Sequence, residues 1–185
     1  MAVKKSSKNN DLVFYIGLVA MLLLLVGVFS EPASLQQKVL FLIGAIVLTA
    51  VARINKQEML FTLQIIITLG SSLAFIDVGS IIKYIVLLGA AVVGVGYLVL
   101  TKNYKNDKIT FVCTIGLILI AAGMATDAKI YPLYFGLFLG FGGLLVAFYS
   151  FIDYFFNKDK IAIIWFILNL VFAVNPLMQV LSLLY

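Results

Sequence analysis

Four polar residues in one apolar run carry the clearest chemistry in this 185-residue chain. Gln64, Thr68, Ser71 and Ser72 stand at i, i+4, i+7 and i+8, so on an α-helix they share one face. Amides and hydroxyls in that setting either hydrogen-bond between helices, for about 0.6 to 2 kcal/mol each, or line a polar pathway. Thr114, and Asn169 one turn from Trp165, put the same choice on two further apolar runs. Gln64 lies thirteen residues before Asp77 and Thr114 thirteen before Asp127, which sets both at one expected depth.

Charge is the stronger pointer to an ion or proton path, because a charge at the bilayer centre costs roughly 2.5 to 3.5 kcal/mol even on a lenient scale. Only Asp153 approaches such a position, about one turn inside the end of its apolar run, among Phe148, Tyr149, Phe151, Tyr154, Phe155 and Phe156. It reads either as an interfacial carboxylate paired with Lys158 or Lys160, or as a gating or proton-accepting group. Glu31, Asp77 and Asp127 fall at outer turns. There they pair with Lys38, Lys83 and Lys129, or gather as a ring that draws cations to a pore mouth.

Absent residues bound the chemistry further. With no histidine and one cysteine, Cys113, the chain lacks the commonest metal ligand and general base and cannot form an internal disulfide. No paired aspartates, Ser-Lys pair or carboxylate cluster stands out, so no catalytic, metal or cofactor site is expected and the chain is not read as an enzyme. Cys113 reads as inert packing.

The elements that position these residues follow from composition. A hydrophobic content of 64% and a mean hydropathy of +1.16 suit lipid rather than water. Apolar runs at Leu12 to Phe29, Val39 to Arg53, Met59 to Ile76, Ile81 to Thr101, Ile109 to Thr126, Tyr131 to Phe156 and Ile161 onward give seven spans of about 20 residues. The expected fold is all-α, a polytopic transmembrane bundle over residues 12–185 behind a cytoplasmic basic tail, 1–11. Lys and Arg counts between spans alternate as 3, 1, 2, 1, 3, 1, 2 and 0, placing ten of thirteen cations on one side. By the positive-inside rule that side is cytoplasmic, with the amino terminus inside and the carboxyl terminus outside. The net charge of +5 is then directed at anionic lipid rather than nucleic acid. A Lys-rich, Ile- and Phe-rich composition suggests a prokaryotic plasma membrane. Tyr15, Tyr104 and Tyr154 near one interface and Tyr84, Tyr131, Tyr134 and Tyr185 near the other read as aromatic belts. Asn175-Pro176 interrupts the last run, which either continues with a kink or leaves its tail on the surface.

An internal repeat is also legible. Glu31, Asp77, Asp127 and Asn175 are spaced 46, 50 and 48 residues apart, and Gly44, Gly89 and Gly140 follow the three acids by 13, 12 and 13. The reading is one leading helix plus three parallel hairpins, about 31–76, 77–126 and 127–175, about an axis along the membrane normal. Ala45/Thr49, Ala90/Gly94, Gly136/Gly140 and Gly143/Ala147 give the even helices small faces for close packing, so these helices are expected at the centre.

Glu31-Pro32 with Gly44, Asp77 with Gly89, and Asp127 through Pro132 with Gly140 give a layout that resembles the acid-resistance (HdeD-type) family of small bacterial membrane proteins. That resemblance implies a non-enzymatic, stress-associated membrane protein without a cofactor. From the residues, the leading expectation is a non-catalytic structural or accessory protein in a homo-oligomer or with other membrane subunits. The alternative is a small channel or solute transporter with a polar path near Gln64, Thr114 and Asn169. A dry bundle with those groups paired fits the first; a hydrated cavity reaching them fits the second.

Overall fold

The computed structural model describes residues 5–104, 107–157 and 160–185, with side chains from residue 12 onward except 157, 160, 161, 163 and 164. Seven helices make up almost all of it: α1 Lys5–Phe29, α2 Leu35–Ile54, α3 Glu58–Leu73, α4 Ser80–Leu100, α5 Lys108–Ala125, α6 Pro132–Asn157 and α7 Lys160–Leu184. Six are long and apolar enough to cross a membrane. The expected third span, Met59 to Ile76, corresponds to α3, which has 16 residues and so reaches about 24 Å at 1.5 Å per residue. Its own hydroxyls contribute to the early stop. Ser71 and Ser72 donate back to the carbonyls of Ile67 and Thr68 at 3.0 and 2.8 Å, and Phe75 and Ile76 close tight turns onto Ser72 and Leu73. A short helix is tolerated here because protein, not lipid, covers Leu63, Ile66, Ile67, Gly70 and Leu73.

The helices form a ring. α1 packs on α2, α2 on α3, α3 on α5, α5 on α6, α6 on α7, and α7 returns to α1, while α4 lies outside against α3 and α5. At the closing seam Asn175 Nδ2 donates to the Val28 carbonyl at 2.7 Å. The last helix therefore does not stop at Asn175-Pro176; α7 continues to Leu184 with Pro176 inside it. Glycine permits the tightest crossings: a Cβ on Gly116 would meet the Gly142 carbonyl at 2.9 Å, and one on Gly142 the Gly116 carbonyl at 2.7 Å, so the α5 and α6 backbones touch.

α4 corrects the expectation that the even helices form the packed centre. Gly89 and Gly96 have nothing within 4 Å, while Gly94 faces Thr62 and Ile66 of α3. The three hairpins are thus not equivalent, since α2 and α6 belong to the ring and α4 does not. Lipid tails are as apolar as a helix face, and a small-residue pattern alone does not say which faces find a partner.

One end of the bundle holds the α2–α3 and α4–α5 loops with Arg53, Lys56 and Lys102; we call it the basic end. The one salt bridge among the described residues is there, Arg53 to Glu58 at 2.9 Å. At the other end no ion pair joins Glu31, Asp77 or Asp127 to Lys38, Lys83 or Lys129; Asp127 Oδ1 instead accepts the Lys129 backbone N–H at 2.9 Å. Two tyrosines expected in the belts turn inward, Tyr84 to Thr126 at 2.9 Å and Tyr104 to Thr114 at 3.3 Å. The start of the tail, 1–4, with Lys105, Asn106, Lys158 and Asp159, lies outside the described residues. So does the pairing expected between Asp153 and Lys158 or Lys160.

Both loops at the basic end are entered the same way. Lys56 and Lys102 sit at φ 56° and 58°, and the following N–H groups of Gln57 and Asn103 bond the carbonyls of Ala52 and Leu98 at 3.0 and 2.9 Å. These are Schellman stops with lysine where glycine is usual. A side chain in the left-handed region costs about 1 kcal/mol or more. We expect Lys102→Gly, at an exposed site, to stabilise the fold by about 0.5 to 1 kcal/mol, read as a raised midpoint of unfolding in detergent.

Candidate functional site

The six ring helices enclose a cavity of about 810 Å³, a size common for small-molecule sites. α4 contributes nothing to its wall. The rim at the basic end is Asn55, Lys56, Gln57 and Glu58 from the α2–α3 loop and the start of α3, with Asn103 from the next loop. From there the space passes Gly17 and Met21 on α1 and Leu48 on α2, and ends at Met124 and Phe172. The Phe172 ring lies against Phe41 with centroids 6.5 Å apart. Met124 also borders a second, small space of about 20 Å³ at the opposite end, lined by Gln37, Lys38, Lys83 and Asp127. Met124 and the Phe41–Phe172 pair thus stand between the large cavity and the small space.

Of the polar residues singled out by sequence, Gln64, Asn169 and Asp153 border the cavity, from α3, α7 and α6, and Cys113 on α5, expected as inert packing, borders it too. Gln64 is 7% exposed, and its Oε1 is shut in without a hydrogen-bond partner. A buried amide oxygen left unpaired costs roughly 1 to 3 kcal/mol, so its retention in a packed bundle calls for a reason. Asn169 donates Nδ2 to the Trp165 carbonyl at 2.8 Å. That bond identifies the nitrogen and leaves the amide oxygen as its acceptor end. Asp153 is half-buried, within electrostatic reach of Tyr149 one turn back and of Cys113 on α5.

The other three do different work. Thr68 shares a hydrogen bond with Thr49 at 2.9 Å and ties α3 to α2. Ser71, besides its bond to Ile67, contacts Met124 Sδ at 3.1 Å and ties α3 to α5. Thr114 bonds the Thr110 carbonyl at 2.9 Å and Tyr104, so it anchors the α4–α5 loop and does not line the cavity. Glu31 and Asp77 are exposed at the far end, and Asp127 borders the small space there.

Sequence reasoning missed Ser150, which borders the cavity with its hydroxyl bonded to the Val146 carbonyl at 3.0 Å. It stands three residues before Asp153, a spacing that places both on one helix face and was the available signal. Gln37 was missed as well. Its Nε2 donates to the Gly27 carbonyl at 3.1 Å and its Oε1 accepts from Ala33 N–H at 2.9 Å, while Ser34 Oγ accepts Gln37 N–H at 3.1 Å. The Ser-x-x-Gln pattern of a capping box announced that arrangement.

Comparison with known protein families, with curated proteins and with solved structures finds no match for this chain.

Proposed function

We propose that this membrane protein is a non-catalytic carrier of a small solute, which enters the central cavity from the cytoplasmic, basic end. The observation that carries the reading is Gln64: a buried amide with an unpartnered oxygen, on the wall of a large cavity ringed by six helices. Interhelical glue would have that oxygen bonded to a neighbour, as Thr68 and Ser71 are. A discontinuity in the far-end layer at Phe41, Met124 and Phe172 would complete a path. The resemblance in layout to the acid-resistance family adds a stress-associated setting, and the lysine distribution a plasma-membrane one.

Ser150 and Phe148 supply the test, because they lie two residues apart on α6, one bordering the cavity and the other exposed on the outer surface of the bundle. In a Cys113→Ser background, Ser150→Cys should react with a charged, membrane-impermeant thiol reagent at least about a hundredfold faster than Phe148→Cys, since thiolate chemistry needs water. Equal, negligible rates would mean a dry interior and end the carrier reading. In the same background Asn103→Cys and Lys129→Cys, both at exposed positions, should be labelled from opposite sides of the membrane.

A second reading, an accessory subunit, draws on α4. Its outer side, including Gly89 and Gly96, has no protein partner. Native mass after gentle extraction distinguishes the two: the carrier reading expects one chain or a closed homo-oligomer, and a second chain in fixed stoichiometry would favour the subunit.

A further inference from the structure

Lysine is almost never deeply buried without a partner, because an ammonium taken out of water must find other acceptors. Lys83, in the first turn of α4, is 7% exposed, and among the described residues no hydrogen bond or ion pair joins its side chain to the protein. Its ammonium is not sealed, since Gln64 Oε1 is the one described side-chain polar atom both shut in and unpartnered. The space that Lys83 lines is the small one at the far end, about 20 Å³, shared with Lys38 of α2 and Asp127 of the α5–α6 turn. Lys38 is half-buried and its ammonium is likewise unbonded. It acts on Lys83 through space, as do Asp127 and the exposed Asp77.

The other polar groups of that wall are occupied. Both ends of the Gln37 amide are bonded, to the Gly27 carbonyl and the Ala33 N–H. Thr126 gives its hydroxyl hydrogen to the Ala122 carbonyl at 2.7 Å and accepts from Tyr84, and Asp127 Oδ1 holds the Lys129 N–H. Two ammoniums therefore share the wall with one carboxylate, an excess of one positive charge. A water there would accept two hydrogens and leave that excess in place. The volume is above the about 10 to 15 Å³ that one water needs, so it admits one small particle; the four oxygens of a sulfate or phosphate, free or on a lipid, are too wide. We infer that the space holds a single-atom anion, a halide such as chloride, between the Lys38 and Lys83 ammoniums. The ion ties α4, which otherwise lies outside the ring, to α2. This goes beyond the carrier reading and makes no use of the large cavity.

The full-length protein in lipid nanodiscs tests this with chloride, bromide, sulfate and gluconate at one ionic strength. Replacing gluconate by chloride or bromide should raise the unfolding midpoint saturably, by at least about 3 °C, because an ion that binds only the folded state stabilises it. Lys83→Met keeps the length of the side chain and removes its charge, and it should abolish that rise; Lys129→Met, at an exposed position of the same end, should leave it intact. The difference between native protein and Lys83→Met cancels the general action of salts on stability. Sulfate should show no such difference. A second reading needs no variant: the native protein should broaden the NMR line of chloride, and bromide should reverse the broadening by displacement, with Lys38→Met weakening the effect at least about tenfold. An equal chloride response in native and Lys83→Met protein, a sulfate difference as large as that of chloride, or a chloride line that bromide does not restore would each overturn the halide site.

Discussion

Gly70→Ala should destabilise the protein by about 3 kcal/mol or more, although the same change in an open helix is worth up to about 1 kcal/mol in the opposite direction. The cause is local. A Cβ on Gly70 would run into the backbone of Ala121, meeting its carbonyl oxygen, carbonyl carbon and Cα, and neither helix has a flexible side chain there to move aside. α3 and α5 would have to separate, and with them the tie from Ser71 to Met124. Gly89→Ala is the matched control. With nothing within 4 Å of that position, it should be neutral or stabilise by about 0.5 to 1 kcal/mol. Thermal or denaturant unfolding in one detergent measures both. If the two variants shift alike, glycine's helix propensity governs and the α3–α5 contact is not as close as the structure places it.

The contrast between those glycines also marks what the sequence could and could not convey. Seven helices and the all-α class were legible, because an apolar run of membrane length has few other solutions. Their ends were less so: Ser34 and Asp107, which accept from Gln37 and Thr110 N–H at 3.1 and 2.6 Å, start α2 and α5 four residues and one residue ahead of the apolar runs. Gln64, Asn169 and Asp153 were legible as candidates because polar groups in hydrocarbon are conspicuous. The ring order was not. Ala90 and Gly94 on α4 look like Gly136 and Gly140 on α6, but Gly136 and Gly140 press on Pro176, Val180 and Leu177 of α7 while most of α4 faces outward. In water a helix shows its buried side by its apolar stripe; in lipid both sides are apolar, and the cue is lost. For the same reason Thr68, Ser71 and Gln64 could not be told apart within their shared face. Only the neighbours, Thr49 and Met124 for the first two, separate ties from a cavity wall.

Gln64→Leu converts that distinction into opposite signs. If the amide is interhelical glue, removing it costs the bundle about 0.6 to 2 kcal/mol. With Oε1 buried and unpartnered, an apolar side chain of similar volume relieves the desolvation instead, and we expect the variant to be more stable by about 1 kcal/mol. Solute flux into proteoliposomes should fall by at least about tenfold, since the wall loses the polar amide that α3 contributes to it. A gain in stability joined to a loss in flux is what a site held ready at the fold's expense produces. Leu69, on the same helix but outside the cavity wall, provides the comparison: Leu69→Ala should lower stability through lost packing and leave flux per folded molecule unchanged. A Gln64→Leu protein that is less stable and equally active would place Gln64 with Thr68 among the ties of α3, and the cavity would then have to be explained without it.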